Sequence, residues 1–116
     1  SATLITFSKV REKNRDTMRI SDITQLQNAL ATYYRDNDAY PALITSGQPL
    51  ASGSITYILS VPGNRAPSSD GNCPSTADYT YTQDGSGSSY HIAFCLGNAT
   101  SNLTAGTHYA TPVGMY

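Results

Sequence analysis

The first 40 residues contain neither glycine nor proline, and this stretch limits the possible folds more than any other part of the chain. Residues that favour helices, such as Leu, Ala, Gln and Arg, are frequent in it. We predict one long helix over residues 4–37. The helix should end there, because Asp36, Asn37 and Asp38 are weak helix formers and Pro41 biases Tyr40 away from helical backbone angles.

The predicted helix is too long for the domain that carries it. At about 1.5 Å per residue it would reach roughly 50 Å. A globular domain of 116 residues is only about 30 Å across. We therefore expect a single domain over residues 1–116, in which residues 1–37 form a projecting helical stem and residues 38–116 a globular head. A projecting stem indicates assembly rather than catalysis.

The second half of the stem carries one apolar stripe. Its members recur at spacings of three and four, as expected for one buried face of a helix. They are Ile23, Leu26, Leu30 and Tyr33.

The first half of the stem is highly charged. Opposite charges three residues apart predict the pairs Glu12–Arg15, Asp16–Arg19 and Arg19–Asp22, each contributing a few tenths of a kcal/mol and letting the helix persist without packing. The interleaved acids argue against a nucleic-acid partner. We interpret this segment as an assembly stem comprising Lys9, Arg11, Glu12, Arg15, Asp16 and Arg19.

Charge is also divided between the two parts of the chain. Residues 1–35 contain six basic and three acidic side chains, whereas residues 36–116 contain one basic and five acidic side chains. A basic stem below an acidic head suits staggered packing of like subunits. A solvated helix face and an ordinary head surface remain the alternative reading.

Two cysteines, Cys73 and Cys95, are too few for a zinc site and lack CxxC spacing. The chain is poor in charge and rich in Ser, Thr, Asn and Gly, like many extracellular proteins. We therefore expect a disulfide between them, in an oxidising compartment, with free buried thiols as the alternative.

The head contains two strongly alternating segments. Residues 79–83 and residues 89–96 each alternate with period two, and a Gly- and Ser-rich connection joins them, which predicts an antiparallel hairpin. Residues 107–110 are the best candidate for a third strand, since a two-stranded hairpin is marginal alone. Residues 55–61 favour a short helix, although Ile and Val there are also compatible with a strand.

One face of the hairpin needs a cover. Tyr90, Ile92, Phe94 and Leu96 lie on this face, and the apolar stripe of the stem is the only long stripe available to cover them. The predicted fold class is therefore α+β, with a long N-terminal helical stem packed on a small antiparallel β-sheet.

No motif predicts an enzyme or a cofactor. His91 and His108 have no neighbouring carboxylate in the sequence and read as ordinary strand histidines. No G-x-S-x-G, P-loop or dinucleotide motif occurs. Asp36-Asn37-Asp38 and Asp70-Gly71-Asn72 offer oxygen ligands but lack EF-hand spacing, so we read them as capping and turn segments without metal.

Residues 19–41 resemble the helix that leads from stem to head in type IV pilins and type II secretion pseudopilins. Residues 55–62 are similar to the short head helix of that family, and the two alternating segments are similar to its sheet. The matching stem positions are Asp22, Leu26, Ala29, Leu30, Tyr33, Tyr34, Asp36, Asn37, Tyr40 and Pro41.

The resemblance implies a filament subunit that polymerises with like pilin subunits. It implies a precursor anchored in the inner or cytoplasmic bacterial membrane by an N-terminal hydrophobic helix, which this sequence lacks, and cut by a prepilin peptidase before the assembly machinery adds it to an extracellular filament. The segment between Cys73 and Cys95 resembles the variable, partner-facing region that a disulfide defines in pilins.

Three functions remain open at this point. The first is a pilus subunit for adhesion, motility or DNA uptake, and the second is a pseudopilin of a secretion system. The third is a minor tip pilin whose head binds a ligand, for which Tyr109 and Tyr116 in the uncharged C-terminal segment are candidate contacts.

Overall fold

The computed structural model describes the backbone of residues 2–116 and the side chains from residue 9 onward. Helix α1 runs over Ala2–Asn37 without interruption, which confirms the long helix predicted for residues 4–37. Asp38 ends it in the left-handed region, with a φ of 59°. The Asp38 N–H donates to the Tyr34 carbonyl at 2.8 Å.

Two antiparallel sheets form the head. The smaller sheet pairs β1 (Leu50–Ser52) with β2 (Ile55–Ile58). The larger sheet has four strands in sequential order, and these are β3 (Thr80–Asp84), β4 (Ser89–Leu96), β5 (Gly106–Thr111) and β6 (Gly114–Met115).

The predicted hairpin and third strand are confirmed. Strand β3 pairs with β4 in a register that places Thr82 opposite His91. Strand β5 pairs with the other edge of β4, and there Tyr109 lies opposite Ala93. The short strand β6, which the sequence did not predict, extends the sheet beyond β5.

The short helix expected for residues 55–61 is wrong, because Ile55–Ile58 forms strand β2. A tight turn at Gly53, whose φ is 60°, brings Ser52 opposite Ile55 and starts the hairpin. Glycine at the first position of a two-residue hairpin turn favours this geometry. Leu59 is 86% exposed, so the apolar spacing that suggested a helix does not produce one buried face.

The core lies between α1 and the inner face of the four-stranded sheet. Ile23, Leu26 and Leu30 are buried with Ala29 on the helix side, and Tyr33 packs half-buried at the margin. The sheet side contributes Tyr90, Ile92, Phe94, Leu96 and Ala110, all essentially inaccessible to solvent. The fold is therefore α+β, with one long helix covering antiparallel sheet.

The molecule is elongated along the helix, with extents of 54 × 24 × 22 Å. Its length equals the length of α1 at about 1.5 Å per residue. Among the side chains that the structure describes, hydrogen bonds between α1 and the head begin at Glu12 and continue to Asn37. Most of the helix thus lies along the head.

Candidate assembly surface

The six residues predicted as an assembly stem do not form one surface. Lys9 and Arg11 are exposed, and Glu12 and Arg15 are half-buried. Asp16 and Arg19 are wholly buried, each with 0% exposure. The expectation of a solvated or filament-facing stem is therefore wrong for Asp16 and Arg19, because the head of the same chain covers them.

The Arg19 guanidinium is held by five acceptor atoms. Its Nη1 lies 2.7 Å from Asp16 Oδ1 and 3.0 Å from Asp70 Oδ2. Its Nε–H donates to Asn64 Oδ1 at 2.8 Å. Its Nη2 donates to the carbonyls of Arg65 and Pro67, each at 2.9 Å. Four hydrogen bonds and the ion pair with Asp70 therefore surround this group and tie the helix to residues 64–70.

The Asp16 carboxylate connects the same helix position to the end of β4. Its Oδ1 accepts the Gly97 N–H at 3.0 Å, and its Oδ2 accepts the Asn98 N–H at 2.9 Å. Charge-assisted hydrogen bonds of this kind are stronger than neutral ones. Asp16 therefore accepts hydrogen bonds from the two backbone amides that directly follow β4.

Arg15 and Asp70 form a two-pronged ion pair beside the Arg19 site. Arg15 Nε and Nη2 donate to the two carboxylate oxygens of Asp70 at 2.7 and 2.8 Å. These hydrogen bonds, with further help from Arg19, hold the pKa of Asp70 below its usual value. Asp70 is thus charged at neutral pH and neutralises two stem cations at once.

The loop that carries Asp70 is pressed against the end of β4. Gly71 has a φ of 54°, and a Cβ added there would lie 2.0 Å from the Gly97 carbonyl oxygen. The Gly71 N–H donates to Glu12 Oε1 at 2.9 Å. Cys73 and Cys95 form the predicted disulfide, with Cα atoms 5.9 Å apart, and it fixes the loop to β4. We call Glu12, Arg15, Asp16, Arg19 and Asp70 the stem clasp.

Asp22 continues these contacts one helical turn further along. It accepts two hydrogen bonds from Arg65, at 2.9 and 3.1 Å, and one from the Tyr79 hydroxyl at 2.9 Å. Burial is the main reason that the pKa of Tyr79 is raised, so the hydroxyl remains a donor. The side chain of Arg65 is the more exposed partner, at 44%.

Of the three ion pairs predicted within the helix, only Asp16–Arg19 is present among the described residues, and it is buried rather than solvated. Glu12 bonds to the Gly71 backbone and Arg15 to Asp70 instead of to each other. Asp22 pairs with Arg65 rather than with Arg19. The sequence pattern missed these partners because they are more than 40 residues away along the chain.

Below the clasp, the helix presents a basic surface to solvent. Lys9, Arg11 and Lys13 are exposed, and none of them belongs to an ion pair in the part of the chain that the structure describes. Val10 lies among them and is 48% exposed. We call Lys9, Val10, Arg11 and Lys13 the stem foot.

The outer face of the larger sheet forms a second exposed area. Tyr109 and Tyr116 exchange backbone hydrogen bonds at 2.8 and 2.9 Å, which makes them cross-strand neighbours on this face. His91 lies beside Tyr109, with ring centroids 6.1 Å apart. His91 is a strand histidine, as predicted, and although no carboxylate adjoins it in the sequence, the hairpin brings Asp84 Oδ2 to 2.8 Å from its Nδ1.

The remaining polar candidates have local structural roles. His108 is buried, and its Nε2 lies 2.6 Å from the Thr104 carbonyl oxygen. Asp36, near the end of α1, accepts a hydrogen bond from the Tyr57 hydroxyl at 2.8 Å. Within residues 9–116, no three His, Cys, Asp or Glu side chains are grouped as a metal site requires.

Comparison of the chain with protein-family models, curated proteins and solved structures gives no match. No helix among the described residues is both long enough and apolar enough to span a bilayer. The functional interpretation therefore depends on the geometry of the chain itself and on the resemblance of its stem sequence.

Proposed function

We propose that this chain is a structural subunit of a type IV pilus filament, polymerising with like subunits at the bacterial cell surface. The observation that carries the proposal is the stem foot, where three exposed cations and a half-exposed valine lie in the N-terminal part of a long helix. Unpaired cations around an apolar side chain are well suited to contact another subunit.

The opposite end of the helix carries the complementary charge. Asp36 and Asp38 lie where α1 ends, and Asp38 is exposed without an ion pair among the described residues. At about 1.5 Å per residue these acids lie roughly 40 Å from Arg11 along the axis. A neighbouring copy displaced along the axis by that distance would bring its foot to these acids. Long-range attraction between the two ends would guide such staggered packing.

The positions that resemble the pilin pattern also have an identifiable structural role in the proposed subunit. Several positions that match the pilin pattern hold the helix to the head. Leu26 and Leu30 are core residues, and Asp22 accepts hydrogen bonds from Arg65 and Tyr79. In the proposed subunit these positions keep the head fixed on the stem while the foot is free for neighbours. The precursor, its membrane anchor, its cleavage by prepilin peptidase and its assembly machinery follow from the same proposal.

Electron microscopy with an immunogold label against residues 9–116 tests the proposal in cells that express the full-length precursor. We expect label along long surface filaments. Label confined to filament tips would favour the minor tip pilin. An absence of filaments, with label retained in the envelope, would contradict the pilus proposal and favour the pseudopilin of a secretion system.

Charge reversal at the foot gives a sharper version of this test. Lys9→Glu combined with Arg11→Glu and Lys13→Glu should abolish filaments and leave the fold intact, since these side chains are exposed and form no ion pair in the part of the chain that the structure describes. Lys9→Arg combined with Arg11→Lys and Lys13→Arg is the matched control, because it changes the same three exposed side chains and keeps their positive charges. Normal filaments from the charge-reversed variant would contradict the role of the foot.

A ligand-binding head is the second candidate, and the outer sheet face favours it. Tyr109 and Tyr116 are 48% and 63% exposed, and adjacent aromatic side chains on a sheet are effective contact groups. We propose no catalytic role. His108 is hydrogen-bonded to a backbone carbonyl, and the buried charges of the stem are paired with each other within the clasp.

A further inference from the structure

Two segments of the form Asn-x-Thr lie close together in the connection between β4 and β5. The first is Asn98-Ala99-Thr100 and the second is Asn102-Leu103-Thr104. Asn-x-Ser or Asn-x-Thr, with any residue except proline in the middle, is the acceptor pattern for N-linked glycans on surface segments of secreted proteins. The pattern also arises by chance, so the exposure and hydrogen bonding of each segment decide whether it can react.

The polar groups of the first segment are already engaged. Asn98 is half-buried, and its Nδ2 lies 3.4 Å from Asp16 Oδ2 and 3.5 Å from Glu12 Oε1. Its backbone N–H donates to the same Asp16 oxygen at 2.9 Å. The Thr100 hydroxyl donates to the Asn98 carbonyl at 3.0 Å. A transferase could reach Asn98 only if this loop separated from the stem clasp.

The second segment forms a tight turn that presents its polar groups to solvent. Thr100 and Leu103 exchange backbone hydrogen bonds at 2.9 and 3.0 Å, which leaves Ser101 and Asn102 as the two-residue tip. Leu103 is partly buried against the core, whereas Asn102 and Thr104 on either side of it are exposed. Within residues 9–116, neither the Asn102 amide nor the Thr104 hydroxyl makes a hydrogen bond.

Other groups hold this turn to the fold. On one side of it, the Gly97 N–H donates to Asp16 Oδ1 at 3.0 Å. On the other side, the Thr104 carbonyl oxygen lies 2.6 Å from His108 Nε2. A glycan on the Asn102 side chain would break neither contact. The native turn can therefore accept a bulky group without unfolding.

The disulfide is consistent with this modification. The bridge between Cys73 and Cys95 is of the kind that persists in oxidising compartments outside the cytosol. Proteins of those compartments are also the ones that carry N-linked glycans.

We propose that Asn102, and not Asn98, accepts an N-linked glycan from an oligosaccharide carried on a lipid diphosphate. The Asn102 amide nitrogen forms a bond to the anomeric carbon of the first sugar. The bond between that carbon and the diphosphate oxygen breaks, the lipid diphosphate leaves, and the nitrogen gives up one proton to a base of the transferase. The Thr104 hydroxyl is the group by which the transferase recognises the segment. The inference does not depend on filament formation.

Glycopeptide mass spectrometry of the protein from its native cells tests the proposal. Fragmentation that leaves the glycan attached should place a sugar mass on Asn102 and none on Asn98. Asn102→Gln and, separately, Thr104→Ala should remove that mass, and both changes lie at exposed positions. Asn98→Gln is the matched control and should keep it. A bare Asn102, or a glycan on Asn98, would overturn the proposal.

A reaction with purified components separates the effect of the fold from that of the sequence. The Asn98→Gln and Asn102→Gln chains, each with one acceptor in this loop, are incubated with an oligosaccharyltransferase and a lipid-linked oligosaccharide. In the folded chains, Asn102 should react about tenfold faster than Asn98, because Asn98 needs local opening first. In synthetic peptides of residues 94–108 with the same substitutions, the two rates should be similar. Equal rates in the folded chains, or the same preference in the peptides, would overturn the assignment of the choice to the fold.

Discussion

The two halves of the stem helix are fixed to the same head by different physical means. From Ile23 to Leu30 the helix buries an apolar stripe against β4, and shape and hydrophobic burial hold it. From Glu12 to Asp22 it buries charge instead, through the stem clasp and the Asp22–Arg65 pair. The comparison teaches that a charged helical segment need not be a solvated one. The buried cation of Arg19 is stable here because two carboxylates neutralise it and four hydrogen bonds hold its guanidinium.

The two regions also respond differently to damage. Truncating a buried apolar side chain lowers the free energy of unfolding by an amount that depends on the cavity left behind. A buried ion pair cannot lose one partner without leaving the other charge uncompensated.

The largest effect is expected from Arg19→Met, which keeps the length of the side chain but removes the charge. Asp16 and Asp70 would then lose their shared partner, so the free energy of unfolding should fall by about 3–5 kcal/mol. Urea denaturation followed by circular dichroism measures it. A loss below 1 kcal/mol would mean that the clasp is solvated in the folded chain.

Leu30→Ala should destabilise the apolar half by about 2–5 kcal/mol, because it leaves a cavity beside β4. The same denaturation experiment measures the change. Met18→Ala is the control on the same helix, since Met18 is 47% exposed and its truncation should cost less than about 0.5 kcal/mol. Equal losses for the two variants would contradict the assignment of Leu30 to the core.

Removing the disulfide should cost about 3 kcal/mol, given that the cysteines are 22 residues apart. The double variant Cys73→Ser and Cys95→Ser tests this by thermal unfolding, with wild type in reducing agent as the matched control. The clasp should be weakened more than the apolar half, because the bridge holds the loop of Asp70. Uniform loss of amide protection along α1 would contradict that local effect.

Acid should weaken the clasp before it affects the apolar contacts. The pKa of Asp70 is lowered in the folded chain, so the folded state binds fewer protons than the unfolded state when pH falls below about 4. The contribution of Asp70 is complete above its unfolded pKa and declines as pH falls toward its folded value. Asp70→Asn should therefore be less stable than wild type at pH 6, and the difference should shrink between pH 4 and pH 2. A constant difference over this range would contradict the prediction.

The smallest effect on stability is expected at the stem foot. Lys9→Ala, Arg11→Ala and Lys13→Ala should each change the free energy of unfolding by less than about 0.5 kcal/mol, because these side chains are exposed and unpaired among the described residues. Chemical denaturation measures each variant. A loss above 1 kcal/mol would place that side chain within the clasp.

The same comparison explains what the sequence could predict. The long helix follows from the absence of glycine and proline, and the β3–β4 hairpin from period-two alternation, since both signals are local. The third strand could also be predicted, because a two-stranded hairpin needs a further strand and residues 107–110 were the best candidate for it. The strand at residues 55–58 was mistaken for a helix because Ile55, Ile58 and Leu59 have helical spacing. The turn at Gly53 starts a hairpin here instead of a helix, and the pattern of apolar residues does not reveal the conformation of that turn.

The stem clasp could not be predicted for a different reason. Asp16 and Arg19 have the spacing of an exposed helix pair, and that spacing is satisfied whether or not a head covers them. Their decisive partners, Asn64, Asp70 and Gly97, come from loops whose positions depend on the complete fold. One signal in the sequence could have indicated a partner for the stem. Asp70 is an acid in a turn, three residues before a disulfide cysteine, and the stem carries excess positive charge.

Native-state hydrogen exchange along α1 can show whether the stem clasp holds the helix as firmly as the apolar stripe does. If charge fixes the lower half of the helix as firmly as burial fixes the upper half, amides from residue 16 to residue 33 should be protected to a similar degree, and Arg19→Met should lower protection chiefly in residues 12–22. Wild-type protection that falls sharply below residue 23 would show that only the apolar stripe holds the helix, and would contradict the account.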